Sequence, residues 1–137
     1  MHNLIDYINF DIKPLKSSQT IADAKDLFLE IPYSHFPVNE NNIYVGCISN
    51  EDASSINEDT LIGENKFNFE RFFVRDSMIW LDVLEEFGKN DCNIMPVLNE
   101  KNKYIGYYEL DDVIKFFQES PFLKEEGGII VVQKQKS

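Results

Sequence analysis

An internal repeat is the feature that most restricts how this chain can fold. Two blocks carry the same landmarks in the same order: a Pro-Val pair, a glycine within an apolar strand, and an aspartate. Pro37 and Pro96 are 59 residues apart, and Gly46 and Gly106 are 60 apart. The one-residue difference falls in a hairpin turn, where chain length varies at small cost. Matching landmarks in one order are hard to obtain by chance, so we infer a duplicated structural unit.

Each block predicts the elements strand, helix, strand, strand, helix. Apolar residues at helical spacing predict the first helix, with Thr20 as its cap in one block and Ser77 in the other. Trp80, on the apolar stripe of the second of these helices, is expected in the core. Polar turns separate strands at 36–38 and 43–48, and again at 94–98 and 104–108, which predicts a hairpin in each block. The closing helix is clear in the second block and weak near 52–56 in the first.

The predicted domain boundaries follow from this order. We place an N-terminal helical segment at 1–9, the first repeat at 10–56, a polar linker at 57–69, the second repeat at 70–119 and a tail at 120–137. In the tail, two glycines precede four β-prone apolar residues, which predicts a loop and then a strand. That strand either pairs back on the module, pairs with a second chain, or begins a further, truncated domain.

Composition and charge exclude several classes of function. The net charge is -11, with 43% hydrophobic residues, which allows a real core but opposes binding to nucleic acid or to an anionic membrane. Cys47 and Cys92 are too few for a disulfide scaffold and lack metal-ligand spacing, so no metal is expected. The start of the chain lacks the features of a signal peptide, and no stretch approaches the roughly 18 apolar residues of a membrane span. The expected location is the cytoplasm.

A seven-residue motif recurs where the third strand of each block turns into its second helix. The motif is glycine, two apolar residues, Ser or Thr, two variable residues, then Asp or Asn. Residues 46–52 match at every defined position, and residues 106–112 match except at Glu109, where Ser or Thr is expected. Together with the opening 12–15 (IKPL) and the two Pro-Val strands, this pattern resembles the CBS domain family over about residues 10–119.

The resemblance implies a fold and a ligand site. The expected fold class is α+β, with two β-α-β-β-α repeats packed sheet to sheet about a pseudo-two-fold axis and two ligand clefts between them. It further implies that two such modules pair into a flat, disk-like homodimer. In this family the Ser or Thr of the motif meets a phosphate and the Asp meets a ribose, while apolar strand residues enclose an adenine. The expected ligand-binding residues are Ser49, Asp52, Asp112, Gly46, Ile12, Lys13, His35 and Pro37.

The chemistry of the motif also stands on the residues themselves. Gly46 either lets a ligand approach the backbone or permits a dihedral closed to other residues. Ser49 precedes a helix, where its hydroxyl either caps the helix or donates to a phosphate, and Asp52 either accepts ribose hydroxyls or simply suits a first helical turn. Both alternatives stay open. His35 either lines the first cleft or is a packed core histidine.

The second motif is expected to behave differently. Glu109 would repel a phosphate, which predicts an empty second site, or one that takes a ligand without phosphate there or a nucleotide carrying a metal ion. Its alternative is an exposed carboxylate favoured by the helix dipole. A phosphate ligand in so acidic a chain needs local cations, and the candidates near the openings of the two repeats are Lys13, Lys16, Arg71 and Arg75.

These features favour a non-catalytic module. The sequence contains no nucleophile elbow, phosphate-binding loop or metal cluster, so we do not expect an enzyme or a cofactor. The predicted function is regulatory sensing of AMP, ADP, ATP or S-adenosylmethionine by a cleft between the repeats. The alternative is a ligand-free dimerisation scaffold. The tail also resembles the approach to an ACT-like domain, which follows CBS pairs in proteins related to acetoin-utilisation regulators.

Overall fold

The computed structural model describes residues 3–119. The strand predicted in the tail at 120–137, and its resemblance to the approach to an ACT-like domain, lie outside the described residues. The N-terminal segment contains a short 3-10 helix, Leu4–Tyr7.

Each repeat has the order strand, helix, strand, strand, helix, which confirms the predicted α+β fold. The bounds in the first repeat are β1 Leu15–Lys16, α1 Ile21–Glu30, β2 His35–Glu40, β3 Ile43–Ser49 and α2 Asn50–Ser55. Those in the second are β4 Val74–Arg75, α3 Trp80–Asn90, β5 Ile94–Leu98, β6 Tyr104–Glu109 and α4 Leu110–Glu119. The two three-stranded sheets have the orders β1-β2-β3 and β4-β5-β6. In each sheet the short first strand runs parallel to the central strand, which pairs antiparallel with the third.

A proline lies in each central strand, where it cannot donate a hydrogen bond. Pro37 is paired with Cys47, and Cys47 turns both of its backbone groups away, to the backbone of Glu70 at 2.8 and 2.9 Å. Pro96 is paired with Tyr107, which bonds Asn9 in the same way at 2.7 and 3.1 Å. The prolines therefore occupy positions at which the partner strand needs no N–H from them.

The same crossing contacts explain the motif glycines. The segment before each repeat pairs with the third strand of the other repeat, and the chain passes directly over the glycine. A Cβ on Gly106 would lie 2.5 Å from Ile8 Cγ2 and 2.6 Å from the carbonyl oxygen of Asn9. A Cβ on Gly46 would lie 3.0 Å from Phe69 Cβ, and the two glycines have φ of +155 and +145°. The close approach at Gly46 is thus made by the protein's own chain, in a conformation that favours glycine.

The helix caps were predicted with mixed success. Thr20 caps α1 as expected, since its side chain accepts from the N–H of Asp23 and the Asp23 side chain accepts from the N–H of Thr20. The prediction for Ser77 is wrong. Residues 76 and 77 form a turn closed by a bond from Met78 N to the carbonyl of Arg75 at 3.1 Å, and α3 begins only at Trp80. Ile79 is its N-cap and offers no side-chain bond.

The predicted linker packs against the first repeat. It contains a 3-10 helix, Ile62–Asn68, and the side chain of Ile62 is fully buried in the core of the first repeat. Backbone bonds from Ile62 N to Gln19 O and from Ile21 N to Thr60 O fasten it there. The segment therefore connects the repeats while adding to the packed structure of the first.

The apolar core has two parts that meet at a seam between the repeats. One part lies within the first repeat, between its sheet and α1 and α2. The other lies mainly in the second repeat but also includes Tyr44 and Cys47 from β3 of the first. Trp80, predicted to lie in the core, is partly buried and packs on Phe117 with ring centroids 4.5 Å apart. Because β3 contributes to both parts, the repeats bury a common surface.

Candidate functional site

Ser34 and Asn93 tie the two repeats together at the pseudo-two-fold axis. The N–H of Ser34 donates to Asn93 Oδ1 at 2.8 Å, and the N–H of Asn93 donates to Ser34 Oγ at 3.0 Å. Their own carbonyls accept from the first residues of α2 and α4, Asn50 and Leu110, at 3.0 and 3.1 Å. Each residue therefore fixes a strand, the following helix and the other repeat at once. A cleft opens on either side of this pair.

The first cleft is a cavity of about 510 Å³ that draws on both repeats. Its wall in the first repeat comes from the start of β2, the end of β3 and α2, and its opposite wall comes from the end of α3 in the second repeat. The lining residues are Ser34, His35, Ser49, Asn50, Glu51, Asp52, Ser54, Glu70, Asn90 and Asp91. The motif residues Ser49 and Asp52 therefore face the seam.

Ser49 occupies the turn from β3 into α2. Its side chain is 8% exposed, and its Oγ accepts from the N–H of Asp52 at 3.0 Å. The capping interpretation is therefore present in the structure. Capping uses only an acceptor site on the hydroxyl, so the hydroxyl proton stays free to be donated into the cleft. Asp52, one turn further on, lines the same cleft through a partly exposed carboxylate.

His35 both packs in the interior and lines the cleft, so its two interpretations combine. The residue is 4% exposed, with the ring edge-on to Phe72 at 5.1 Å. Nδ1 lies 2.8 Å from Ser34 Oγ. Nε2 lies 3.1 Å from Glu70 Oε1 but makes no hydrogen bond with any residue from 3 to 119. The Nδ1 atom of the imidazole is therefore hydrogen-bonded, whereas Nε2, which faces Glu70, is not.

The first cleft is acidic. The carboxylates of Glu51, Asp52, Glu70 and Asp91 line it, and no Lys or Arg among the described residues does. The cations expected near the clefts line neither of them. Arg71 and Arg75 lie over the ring of Phe73 at 5.1 and 4.9 Å, and Arg75 Nη1 donates to the carbonyl of Asn99 at 2.7 Å. Lys13 and Lys16 line a separate pocket beside the first hairpin turn.

Other predicted residues are not brought to the first cleft. Ile12 and Lys13 line a groove with Leu27 and Ile31, and Ile31 also lines the second cleft. The segment before the first repeat therefore lies beside the second cleft and not the first. Pro37 is buried within the central strand, and Gly46 lies beneath Phe69.

The second cleft is related to the first by the pseudo-two-fold axis. It is a cavity of about 410 Å³ lined by Ile31, Pro32, Tyr33, Asn93, Glu109, Leu110 and Asp111. Asp112, expected to bind a ligand here, follows directly but is not part of the lining. Burial raises the pKa of Asp112, and the neighbouring Glu109 carboxylate raises it further. Because the carboxylates of Glu109 and Asp111 line the second cleft, it is acidic like the first.

The fold and the clefts agree with the comparisons to known proteins. The sequence pattern of the CBS domain matches residues 5–60 and 70–119, which is most of the chain. The chain belongs to the CBS domain family. A search of curated protein sequences finds no match. Pairs of CBS domains are generally regulatory, non-catalytic modules.

Solved structures of CBS pairs share the fold. A CBS domain pair/ACT domain protein from Thermotoga maritima has a TM-score of 0.75 at 17% identity, covering 85% of this chain and 97% of that one. CBSX2 in complex with AMP has a TM-score of 0.67 at 20% identity, with 84% and 95% covered. The CBS domain of a bacterial CNNM/CorC family Mg²⁺ transporter in complex with ATP has a TM-score of 0.65 at 17% identity, with 83% and 85% covered.

Sequence reasoning missed the contributions that cross the seam of this CBS pair. Asn90 and Asp91 lie far from the first motif in sequence, and Tyr33 and Asn93 carry no recognisable signal. The repeat offset offers the one usable clue, since it relates the end of α1, which faces the second motif, to the end of α3, which faces the first. Within residues 3–119, no helix is long and apolar enough to cross a membrane, and no three His, Cys, Asp or Glu side chains are placed to hold a metal ion.

Proposed function

We propose that this CBS pair is a regulatory module that binds an adenine nucleotide or a related adenosyl ligand in its first cleft. The observation that carries the proposal is that Ser49 and Asp52 of one repeat face Asp91 of the other across a single cavity. A ligand held between two repeats favours one arrangement of them, and that differential affinity is what a regulatory module needs. The AMP and ATP complexes of structurally similar CBS proteins support this choice of ligand class.

The proposed roles follow from the side chains. The Asp52 carboxylate accepts hydrogen bonds from the two ribose hydroxyls, which are charge-assisted and therefore strong. The Ser49 hydroxyl donates to a polar group on the 5′ side of the ligand while its oxygen keeps the cap on α2. The buried ring of His35 forms the floor beside them.

The acidic lining further restricts which ligands the first cleft favours. Four carboxylates without a lysine or arginine repel a free phosphate, and low local dielectric strengthens the repulsion. A ligand that brings its own positive charge removes this penalty. S-adenosylmethionine, which carries a sulfonium and an ammonium group, is therefore favoured over free AMP, and ATP with bound Mg²⁺ is favoured over ATP without the metal.

The test is a thermal-shift and calorimetric comparison of four additions to the purified chain: AMP, ATP without Mg²⁺, ATP with Mg²⁺, and S-adenosylmethionine. Because a ligand that binds only the folded state stabilises it, we expect the Tm to rise more with S-adenosylmethionine than with AMP, and more with Mg²⁺-ATP than with ATP alone. Mg²⁺ alone serves as the control for simple neutralisation of the acidic surface.

The matched variants are Asp52→Ala and Asp26→Ala. Asp26 is an exposed carboxylate on α1 outside the clefts, so its removal changes the net charge equally. We expect Asp52→Ala to weaken binding by roughly tenfold or more, since charge-assisted hydrogen bonds are lost, and Asp26→Ala to leave it unchanged. If none of the four additions shifts the Tm at millimolar concentration, the function is the ligand-free dimerisation scaffold instead.

A further inference from the structure

The two clefts share a backbone but differ at three related positions. Ser49 of the first corresponds to Glu109 of the second in the repeated motif. At the same offsets, Cys47 corresponds to Tyr107 and Cys92 to Tyr33. The small side chains are all on the side of the first cleft, and the large ones are on the side of the second.

The large side chains contact one another across the seam. The Tyr33 hydroxyl donates to Glu109 Oε2, which joins the first repeat to the second. The hydroxyl oxygens of Tyr33 and Tyr107 are 3.3 Å apart, and their rings meet edge to face at 5.7 Å. Burial, and next the bond to Glu109, raise the pKa of Tyr33 well above its usual range, so the phenol stays a donor.

These contacts use the atoms that a ligand would need. Glu109 stands where the first cleft has its serine, and one of its oxygens is occupied by Tyr33. The counterparts of His35 and Asp52, which are Ile94 and Asp112, do not line the second cleft.

We propose that Tyr33 and Glu109 form an intramolecular latch that occupies the serine position of the second motif, so that each chain binds one adenosyl ligand, in the first cleft. The latch rests on the proposed function for the identity of the ligand, but not for its own existence. It also joins the repeats, so a rearrangement that separates them at this edge must break the bond between the phenol and the carboxylate.

The latch itself is tested without any ligand, by a double-mutant cycle of Tyr33→Phe and Glu109→Ala. Each single variant should lower the Tm by about 5 °C, because it leaves a part-buried polar group unpaired. The double variant should fall no further than the worse single variant, because both remove the same bond. Tyr108→Phe is the control, since the Tyr108 hydroxyl has no hydrogen-bond partner among residues 3–119. Additive losses would overturn the latch.

The stoichiometry is tested by native mass spectrometry with Mg²⁺-ATP and with S-adenosylmethionine. The wild-type chain should bind one ligand, and Asp112→Asn should bind it as tightly as the wild type. The double variant Tyr33→Cys, Glu109→Ser replaces both latch side chains with their counterparts from the first cleft and should bind two. Two ligands on the wild-type chain, or one on the double variant, would contradict the proposal.

The double-mutant cycle and the binding stoichiometry together distinguish a failure of the latch from a failure of the proposed function. If neither compound binds the wild type but the cycle is non-additive, the adenosyl ligand is wrong and the latch stands. If one ligand binds but the cycle is additive, the function stands and the latch is wrong.

Discussion

The two clefts of this CBS pair show how a duplicated backbone can come to carry two different sites. Both are built from the end of a third strand, the start of its helix and the end of a helix from the other repeat. Ser34 and Asn93 hold both in the same way, by reciprocal bonds of 2.8 and 3.0 Å. In one cleft the motif presents Ser49, and in the other it presents Glu109 already bonded to Tyr33.

The comparison shows that main-chain atoms determine what the two clefts share, whereas side-chain atoms determine how they differ. Backbone bonds, the two prolines and the two glycines maintain the symmetry, since they depend on main-chain geometry. Side-chain size and charge at a few positions then distinguish the two clefts. This division between main-chain symmetry and side-chain difference can be tested in three places.

The largest expected effect concerns the small side chains beside the first cleft. Burial raises the pKa of Cys92 to about 12 and also raises that of Cys47. At about pH 8 the thiolate fraction of Cys92 is therefore about a thousandfold lower than in the unfolded chain, and labelling by a disulfide reagent should be slower by at least about a hundredfold. Urea at unfolding concentration should restore the rate.

The same shift sets a pH dependence. A thiol whose pKa is raised by folding contributes stability that is complete below its unfolded pKa, near 9, and is lost as pH rises through about 12. The free energy of unfolding should therefore fall in alkaline solution, and Cys92→Ala should make that decline less steep. If the two thiols label in the folded chain as fast as in urea, Cys47 and Cys92 are accessible to the reagent and this prediction is wrong.

The next effect compares the motif glycines. Gly106→Ala places a methyl group 2.6 Å from a backbone oxygen, whereas Gly46→Ala meets Phe69 Cβ at 3.0 Å and Glu70 O at 3.4 Å. We expect losses of about 3 kcal/mol for Gly106→Ala and about 2 kcal/mol for Gly46→Ala in urea unfolding. Gly88→Ala, in α3 with nothing within 4 Å, should instead stabilise by about 0.5–1 kcal/mol. Equal losses at the two motif glycines would mean that the crossing segments pack symmetrically.

The sequence was sufficient for the fold because each repeat encodes its elements locally. Short apolar strands, helical stripes and polar turns each need only a short window, and the glycine and proline landmarks recur in the same order in both repeats. The position of Ser49 and Asp52 at the seam followed from the motif's place between β3 and α2. Their role in binding a ligand stays a prediction.

The contacts across the seam could not be obtained in this way. The segment at Asn9 bonds Tyr107, and the segment at Glu70 bonds Cys47, so each repeat is completed by chain that precedes the other. No local pattern encodes that exchange. It is the reason that Ile12 and Lys13 lie away from Ser49, and that the acidic wall of the first cleft includes Asp91 from the second repeat.

The smallest effect compares how the two repeats begin their first helices. Thr20 caps α1 with a reciprocal pair of bonds, whereas α3 has Ile79 at its N-cap and no side-chain bond. Ile79 is 60% exposed, so Ile79→Ser adds a cap without emptying the core and should stabilise by about 0.5–1 kcal/mol.

Thr20→Ala should cost about 1 kcal/mol, while Ser77→Ala should change stability by less than about 0.5 kcal/mol because Ser77 lies in a turn before the helix. A loss at Ser77 as large as that at Thr20 would place the start of α3 two residues earlier in solution. The two repeats would then begin their helices alike, and the asymmetry of the pair would be confined to its clefts.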